Sequence, residues 1–210
     1  MEASSGENHR TLLLLARSGD HSAADQLLSM YQNYLRVLAR TGLSRQVQSR
    51  VTISDVIQDT LLHAFKAISK FRGASREEFV VWIRTILASR IANAHEKHLD
   101  AERRDIRREV SIEKINENLS HSNMGLESIA VDHLQRSPSS VVAEAEEALL
   151  IADAIGTLPE EYQRVIVARH FDGSSFEQIA EQLGRSAGAV RMIWLRAIRR
   201  MRRDMKDLPP

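Results

Sequence analysis

Residues Ser174–Arg203 read SSFEQIAEQLGRSAGAVRMIWLRAIRRMRR, and this stretch decides the fold. Phe176, Ile179, Ala180 and Leu183 recur at helical spacing, and Ser175 followed three places later by Gln178 has the pattern of a capping box that opens a helix. Gly184 stops that helix. Ser186 can cap the next one, whose apolar stripe is Val190, Ile193, Trp194, Ala197, Ile198 and Met201 at steps of three and four. Arg191, Arg196, Arg199, Arg200, Arg202 and Arg203 lie on its other face or in its tail. A short helix, a glycine turn and a second helix make the layout of a helix-turn-helix, and a rod of groove width carrying cations suits phosphate oxygens. An arginine-rich helix can equally be a solvated face, and a helical pair is a common packing unit, so this segment by itself leaves both readings open.

Charge is distributed unevenly around this segment. The whole chain carries a net +1, yet Arg185–Lys206 holds eight basic residues and one acid, while Val141–Gln163 holds six acids and neither Lys nor Arg. Such segregation presents one face to a polyanion and another to something different, although acids at helix starts and cations at helix ends also complement helix dipoles. At 210 residues and 43% hydrophobic content the chain can build one large core or two small ones. Cysteine is absent, which excludes disulfides, zinc–thiolate centres and thiol nucleophiles. No apolar run approaches the roughly 18 residues that cross a bilayer, and Leu12–Leu15 is too short for a signal-peptide core, so the expected location is cytoplasmic, without membrane insertion.

Working towards the N-terminus, apolar residues return at three and four almost everywhere, and an all-α fold is expected. After a polar N-terminus, Ala23, Ala24, Leu27, Leu28, Tyr31, Tyr34, Leu35 and Leu38 mark one amphipathic helix ending near Gly42. Ser54 is expected to cap a second helix carrying Val56, Ile57, Leu61, Ala64, Phe65 and Ile68. Gly73 and Ser75 mark the break before a third and longest, with Phe79, Ile83, Ile86, Leu87, Ile91 and Ala94 as its stripe. Between Glu109 and Ser140 the periodicity weakens into linker composition. A last unit begins near Ser140 and restarts at Pro159, which suits a first helical position. The expected organisation is two small helical domains, 1–108 and 140–210, joined by a flexible linker at 109–139.

Candidate chemistry is sparse. His95, Glu96 and His98 lack the four-residue histidine spacing of zincins and a third ligand, so no metal or other cofactor is expected. Asp55 and Asp59 sit one helical turn apart with Gln58 between them, but no phosphate loop or nucleophile accompanies them. They fit a protein-docking edge better than acid–base catalysis. Lys66, Lys70, Arg72 and Arg76 occur without an acid beside Phe65, Phe71, Phe79 and Trp82. Cations interleaved with aromatics suit single-stranded nucleic acid; Phe65, Phe79 and Trp82 also fall on apolar stripes, which leaves Phe71 as the freer ring for base stacking.

Together these residues resemble the extracytoplasmic-function sigma factors of the sigma-70 superfamily. Residues Ser54 to Phe65, SDVIQDTLLHAF, are similar to that family's polymerase-docking helix, and Phe71-Arg72-Gly73 and Trp82-Ile83-Arg84 to its promoter-melting segment. Leu158-Pro159-Glu160, Ile179 to Gly184, Val190-Arg191 and Arg196-Ala197 resemble its region four. The resemblance implies that Asp55, Gln58 and Asp59 meet the clamp helices of core RNA polymerase. It implies that Lys66, Lys70, Phe71, Arg72, Arg76, Arg84, Arg90 and Lys97 meet minus-ten DNA, and that Ser186, Ala187, Gly188, Arg191, Met192, Arg196 and Arg199 meet minus-thirty-five DNA. Within that last set, Ala187, Gly188, Arg191 and Met192 would lie nearest base edges and Arg196 and Arg199 nearer phosphates. Promoter DNA, core polymerase and an inhibitory anti-sigma protein are the implied partners, with no enzymatic step. The alternative is a dimeric helix-turn-helix repressor or activator, which predicts tight independent binding to a palindromic duplex and no affinity for polymerase.

Overall fold

In the computed structural model, residues 2–98, 114–120, 129 and 141–206 are described, and every regular element among them is helical. The chain divides into two compact units, with the division falling after Ser120.

The first unit opens with α1 (Glu2–Arg17), where a polar terminus was expected. Leu12, Leu13 and Ala16 bury one side of it, and Gly19 at φ 100° turns the chain out of the helix. Asp20 then caps α2 (His21–Ser29) by accepting from the Ala23 amide at 3.0 Å. The single helix expected over residues 23–38 is in fact two, because the chain breaks at Met30 and Tyr31 before α3 (Gln32–Gly42). Neither Gly nor Pro marks that corner. It is a tertiary choice that seats Tyr31 and Tyr34 in the core, where they are among the largest fully buried side chains. A short α4 (Arg45–Gln48) follows.

The cap of α5 (Ile53–Ala67) is Thr52 and not Ser54. Thr52 and Asp55 form a reciprocal capping box, with the Asp55 amide donating to Thr52 Oγ1 at 3.1 Å and the Thr52 amide donating to Asp55 Oδ2 at 3.1 Å. A 3-10 turn at Ile68–Lys70 leads to the loop before α6 (Arg76–His98). Phe79, Ile83, Leu87 and Ile91 form the fully buried stripe of α6, as their spacing predicts. Inside the stretch expected to be linker, residues 114–120 form a further helix, α7. It belongs to the first unit: Leu119 is fully buried, and a Cβ on Gly42 of α3 would lie 3.4 Å from Leu119 Cδ2.

The second unit contains α8 (Val141–Gly156), α9 (Glu160–His170), α10 (Phe176–Leu183) and α11 (Ala187–Lys206). Pro159 stands at the cap position of α9 rather than inside its first turn. Buried Gln163 closes the α8–α9 turn by donating to the carbonyls of Leu158 at 2.8 Å and Gly156 at 3.2 Å. Val165, Ile179, Ala180, Val190 and Ile193 make the small core around which α9, α10 and α11 pack.

Candidate polymerase and nucleic-acid surfaces

Three surfaces carry the residues singled out from the sequence. On α5, Asp55, Gln58 and Asp59 are exposed on one face, while Val56, Ile57, Thr60 and Ala64 bury the other. The face continues one turn further to Leu62, which is 50% exposed. Sequence reasoning passed over Leu62, although its position seven residues after Asp55 is a legible signal. Asp55 has work within its own helix as well, because its Oδ2 also accepts from Thr52 Oγ1 at 2.7 Å. The side-chain and backbone hydrogen bonds from Thr52 hold its pKa below the ordinary carboxylate value.

The second surface surrounds the loop between the 3-10 turn and α6. Its geometry is set by three ties. Arg17 Nη1 donates to the Gly73 carbonyl at 3.3 Å, Glu78 Oε2 accepts from the amides of Ala74 at 2.7 Å and Ser75 at 3.0 Å, and Ser75 Oγ accepts from the Glu78 amide at 3.2 Å. The two backbone donors keep the Glu78 pKa below its usual value. Lys66, Lys70 and Arg72 project from this region into solvent, and Lys97 is exposed near the end of α6.

Two expected contacts must be corrected. Phe71, read as the ring free for base stacking, is only 7% exposed and packs edge-on to Phe79 at 5.5 Å and against Trp82 at 5.0 Å. Arg76 is buried as well, so neither residue is presented to a ligand. The apolar environment won because Phe71 sits at the extended end of the 3-10 turn, where the ring reaches the α6 stripe. Arg84 and Arg90 are half-buried, and the Arg90 guanidinium is turned toward α5. Trp82 is half-buried over Phe79 at 5.2 Å.

The third surface is the helix-turn-helix itself. Ser175 and Gln178 form the expected capping box, and Gly184 at φ 62° terminates α10 in the left-handed conformation that glycine adopts without strain. Ser186 Oγ accepts from the Ala189 amide at 3.2 Å and starts α11. Val190, Ile193, Ala197, Ile198 and Met201 are buried, and Trp194 is half-buried, donating from Nε1 to His170 Nε2 at 3.1 Å. On the opposite side Gly188, Arg191, Met192, Arg196 and Arg199 are exposed, and Ser186 is exposed at the cap. Ala187 is half-buried against the small core. A Cβ on Gly188 would meet nothing within 4 Å, so this turn of backbone is open to close approach.

Arg191 lies over the Phe176 ring at 5.2 Å, and Arg169 of α9 lies over the same ring at 4.9 Å. Arg169 was not anticipated; its place in the last turn of α9, just ahead of the helix-turn-helix, is the only sequence signal it leaves. Glu177 is held below the ordinary carboxylate range, first by its own backbone amide and the Ser175 hydroxyl and then by the charges of Arg191 and Arg169. No group of three or more His, Cys, Asp or Glu with metal-holding geometry occurs among the described residues, and His95 Nε2 is 3.2 Å from the Gly42 carbonyl oxygen. Among the described residues, no helix is long and apolar enough to cross a membrane.

The family Sigma-70 region 2 matches residues 30–99, and Sigma-70, region 4 matches residues 148–201. The ECF RNA polymerase sigma-E factor of Haemophilus influenzae is 29% identical over 188 residues, covering 90% of both chains. The ECF RNA polymerase sigma-E factor of Escherichia coli K12 is 28% identical over 190 residues, 90% of this chain and 89% of its own. The RNA polymerase sigma factor YlaC of Bacillus subtilis is 24% identical over 181 residues, 86% of this chain and 92% of its own. The solved structure of CnrH in complex with the cytosolic domain of CnrY aligns over 96% of this chain and 99% of its own at 20% identity, with a TM-score of 0.34.

Proposed function

The chain belongs to the extracytoplasmic-function sigma factors of the sigma-70 superfamily, and from that premise we propose a division of labour between its two helical units. It is an alternative sigma factor that directs RNA polymerase to promoters for transcription initiation. Sigma factors are transcription regulators and not enzymes, and the work assigned below is binding and placement without covalent chemistry.

In this reading the first unit, which runs through α7, engages polymerase and the minus-ten element, and the second unit, with α8 to α11, engages the minus-thirty-five element. Asp55, Gln58 and Asp59, extended by Leu62, face the polymerase clamp helices. Lys66, Lys70, Arg72 and Lys97 supply cations for the strand displaced at the minus-ten element. The first turns of α11 enter the major groove, with Gly188, Arg191 and Met192 toward base edges and Arg196 and Arg199 toward phosphates. One observation carries the DNA half of this assignment: α11 begins at a satisfied Ser186 cap and presents Gly188, Arg191, Met192, Arg196 and Arg199 to solvent on the side opposite its buried stripe.

Both sigma regions occur in order along one chain, which favours this reading over a dimeric repressor or activator. The protein acts in the cytoplasm, where polymerase is, and an anti-sigma protein that masks these same surfaces is a fitting regulator. Capture of core RNA polymerase by the purified protein, followed by open-complex footprinting on selected promoters, tests the proposal. Stoichiometric binding with strand opening is the expected result. Failure of folded protein to bind polymerase, combined with tight binding to a palindromic duplex, would overturn it.

A further inference from the structure

On the seam between α5 and α6, the Arg90 side chain is only 19% exposed and joins four neighbours. Its Nη1 donates to His63 Nε2 at 3.1 Å and lies 3.7 Å from Asp59 Oδ2, and its Nη2 donates to Ser89 Oγ at 3.0 Å. The Asn93 amide oxygen, oriented by this network, accepts from Nη2 at 3.0 Å and Nη1 at 3.3 Å. His63 Nδ1 in turn lies 2.8 Å from the Asp59 carbonyl oxygen and 3.1 Å from Asp59 Oδ1. A guanidinium can only donate, so His63 Nε2 accepts, its ring proton sits on Nδ1, and that proton is shared with Asp59. The Asp59 carboxylate is therefore held by its own helix through His63 and from α6 through Arg90. It remains 48% exposed.

Resting on the reading of α5 as the polymerase-docking helix, we infer that Arg90 is a positioning residue of the docking surface and not a minus-ten contact. It orients the Asp59 carboxylate, directly and through His63, before polymerase arrives. An acid whose rotamer is already chosen loses less freedom on binding than one that must be ordered by its partner. Both terminal nitrogens of the guanidinium are engaged on this seam, with Ser89 and Asn93 fixing its plane, so they are not offered to DNA.

The test is equilibrium titration of labelled full-length protein with core RNA polymerase, comparing wild type, Arg90→Ala, Arg90→Lys, Asp59→Asn and the double variant Asp59→Asn with Arg90→Ala. A half-exposed charge contact predicts a loss of about twofold to fivefold for Arg90→Ala, with partial recovery by Arg90→Lys. The double variant should bind no more weakly than Asp59→Asn alone, an outcome a general structural defect would not give. At saturating polymerase, opening of a fork-junction promoter by Arg90→Ala should match wild type. Unchanged or tighter polymerase binding by Arg90→Ala, additive losses in the double variant, or an opening defect at saturating polymerase would each overturn the inference. Wild-type protein that bound no polymerase would instead refute the docking reading beneath it.

Discussion

Replacing Gly73 by Ala probes the loop that leads into α6 in a way that can be worked from distances. Gly73 does not have a positive φ, so the substitution brings no backbone strain of its own. A Cβ there would overlap Phe71 Cζ and lie 3.0 Å from Phe71 Cε1 and 2.9 Å from Glu78 Cβ, far inside ordinary contact. Phe71 cannot simply swing aside, because its ring is buried between Phe79 at 5.5 Å and Trp82 at 5.0 Å. If the ring yields, two aromatic pairs worth roughly 0.5–1.5 kcal/mol each are disturbed, in line with the roughly 1–3 kcal/mol usual for overpacking. At about 4–8 °C per kcal/mol for a domain of roughly 100 residues, overpacking of that size should lower the melting temperature of the first unit by roughly 4–24 °C. If the loop yields instead, it moves off Phe71 and strains the Arg17 contact to the Gly73 carbonyl and the Glu78 cap. In that case the melt changes less while promoter opening falls. Thermal unfolding by circular dichroism and open-complex formation are the paired assays, and Gly184→Ala is the control, where nothing lies within 4 Å and the left-handed conformation alone should cost about 1–2 kcal/mol. A Gly73→Ala protein indistinguishable from wild type in both assays would show that the loop packing reasoned from here is wrong.

Other perturbations have equally definite outcomes. Buried His9 is held near pKa 4, first by desolvation and then by the Arg76 charge, against 6.5 when unfolded, so the unfolded chain binds the extra proton between those values. Stability of the first unit should therefore be full above 6.5 and fall as pH drops toward 4, and His9→Leu should flatten that slope; parallel pH profiles for the two proteins would refute it. The depressed carboxylates of Asp55, Glu78 and Glu177 act in a lower window, their contribution being present above the ordinary carboxylate pKa and lost as pH falls through their folded values. Thr52→Ala should lower the stability of the first unit by roughly 1 kcal/mol. It should also let the Asp55 pKa rise toward normal in an NMR titration, and an unmoved Asp55 would show that Thr52 is not what holds it down. Arg191→Ala should relax sequence preference at the upstream element, whereas Arg199→Ala should weaken duplex binding evenly and reduce the salt slope by about one. Identical behaviour of the two variants across a panel of duplexes would undo the separation of base from phosphate contacts.

Much of the second unit was legible because its signals are local. Ser175 with Gln178, Gly184 and Ser186 act on neighbours within four residues, and the α11 stripe of Val190, Ile193, Ala197, Ile198 and Met201 follows from helical period alone. The α6 stripe was readable for the same reason. The Thr52–Asp55 box was equally local and was missed only because Ser54 stood nearer the first apolar residue. By itself, then, the sequence determined the helical class, the helix-turn-helix and which helix faces are buried or cationic.

Tertiary structure alone decided which of the candidate contacts remain available. The corner at Met30–Tyr31 carries no breaker residue and exists because two tyrosines gain burial there. Phe71 and Arg76 went inward, and Arg90 turned to His63 across 27 residues, while Arg17 reached the Gly73 carbonyl across 56. Periodicity reports how a residue sits on its own helix. It holds no information on what a neighbouring helix offers in return, and for a half-buried arginine or a loop phenylalanine that offer sets whether the side chain meets solvent, a partner or the core.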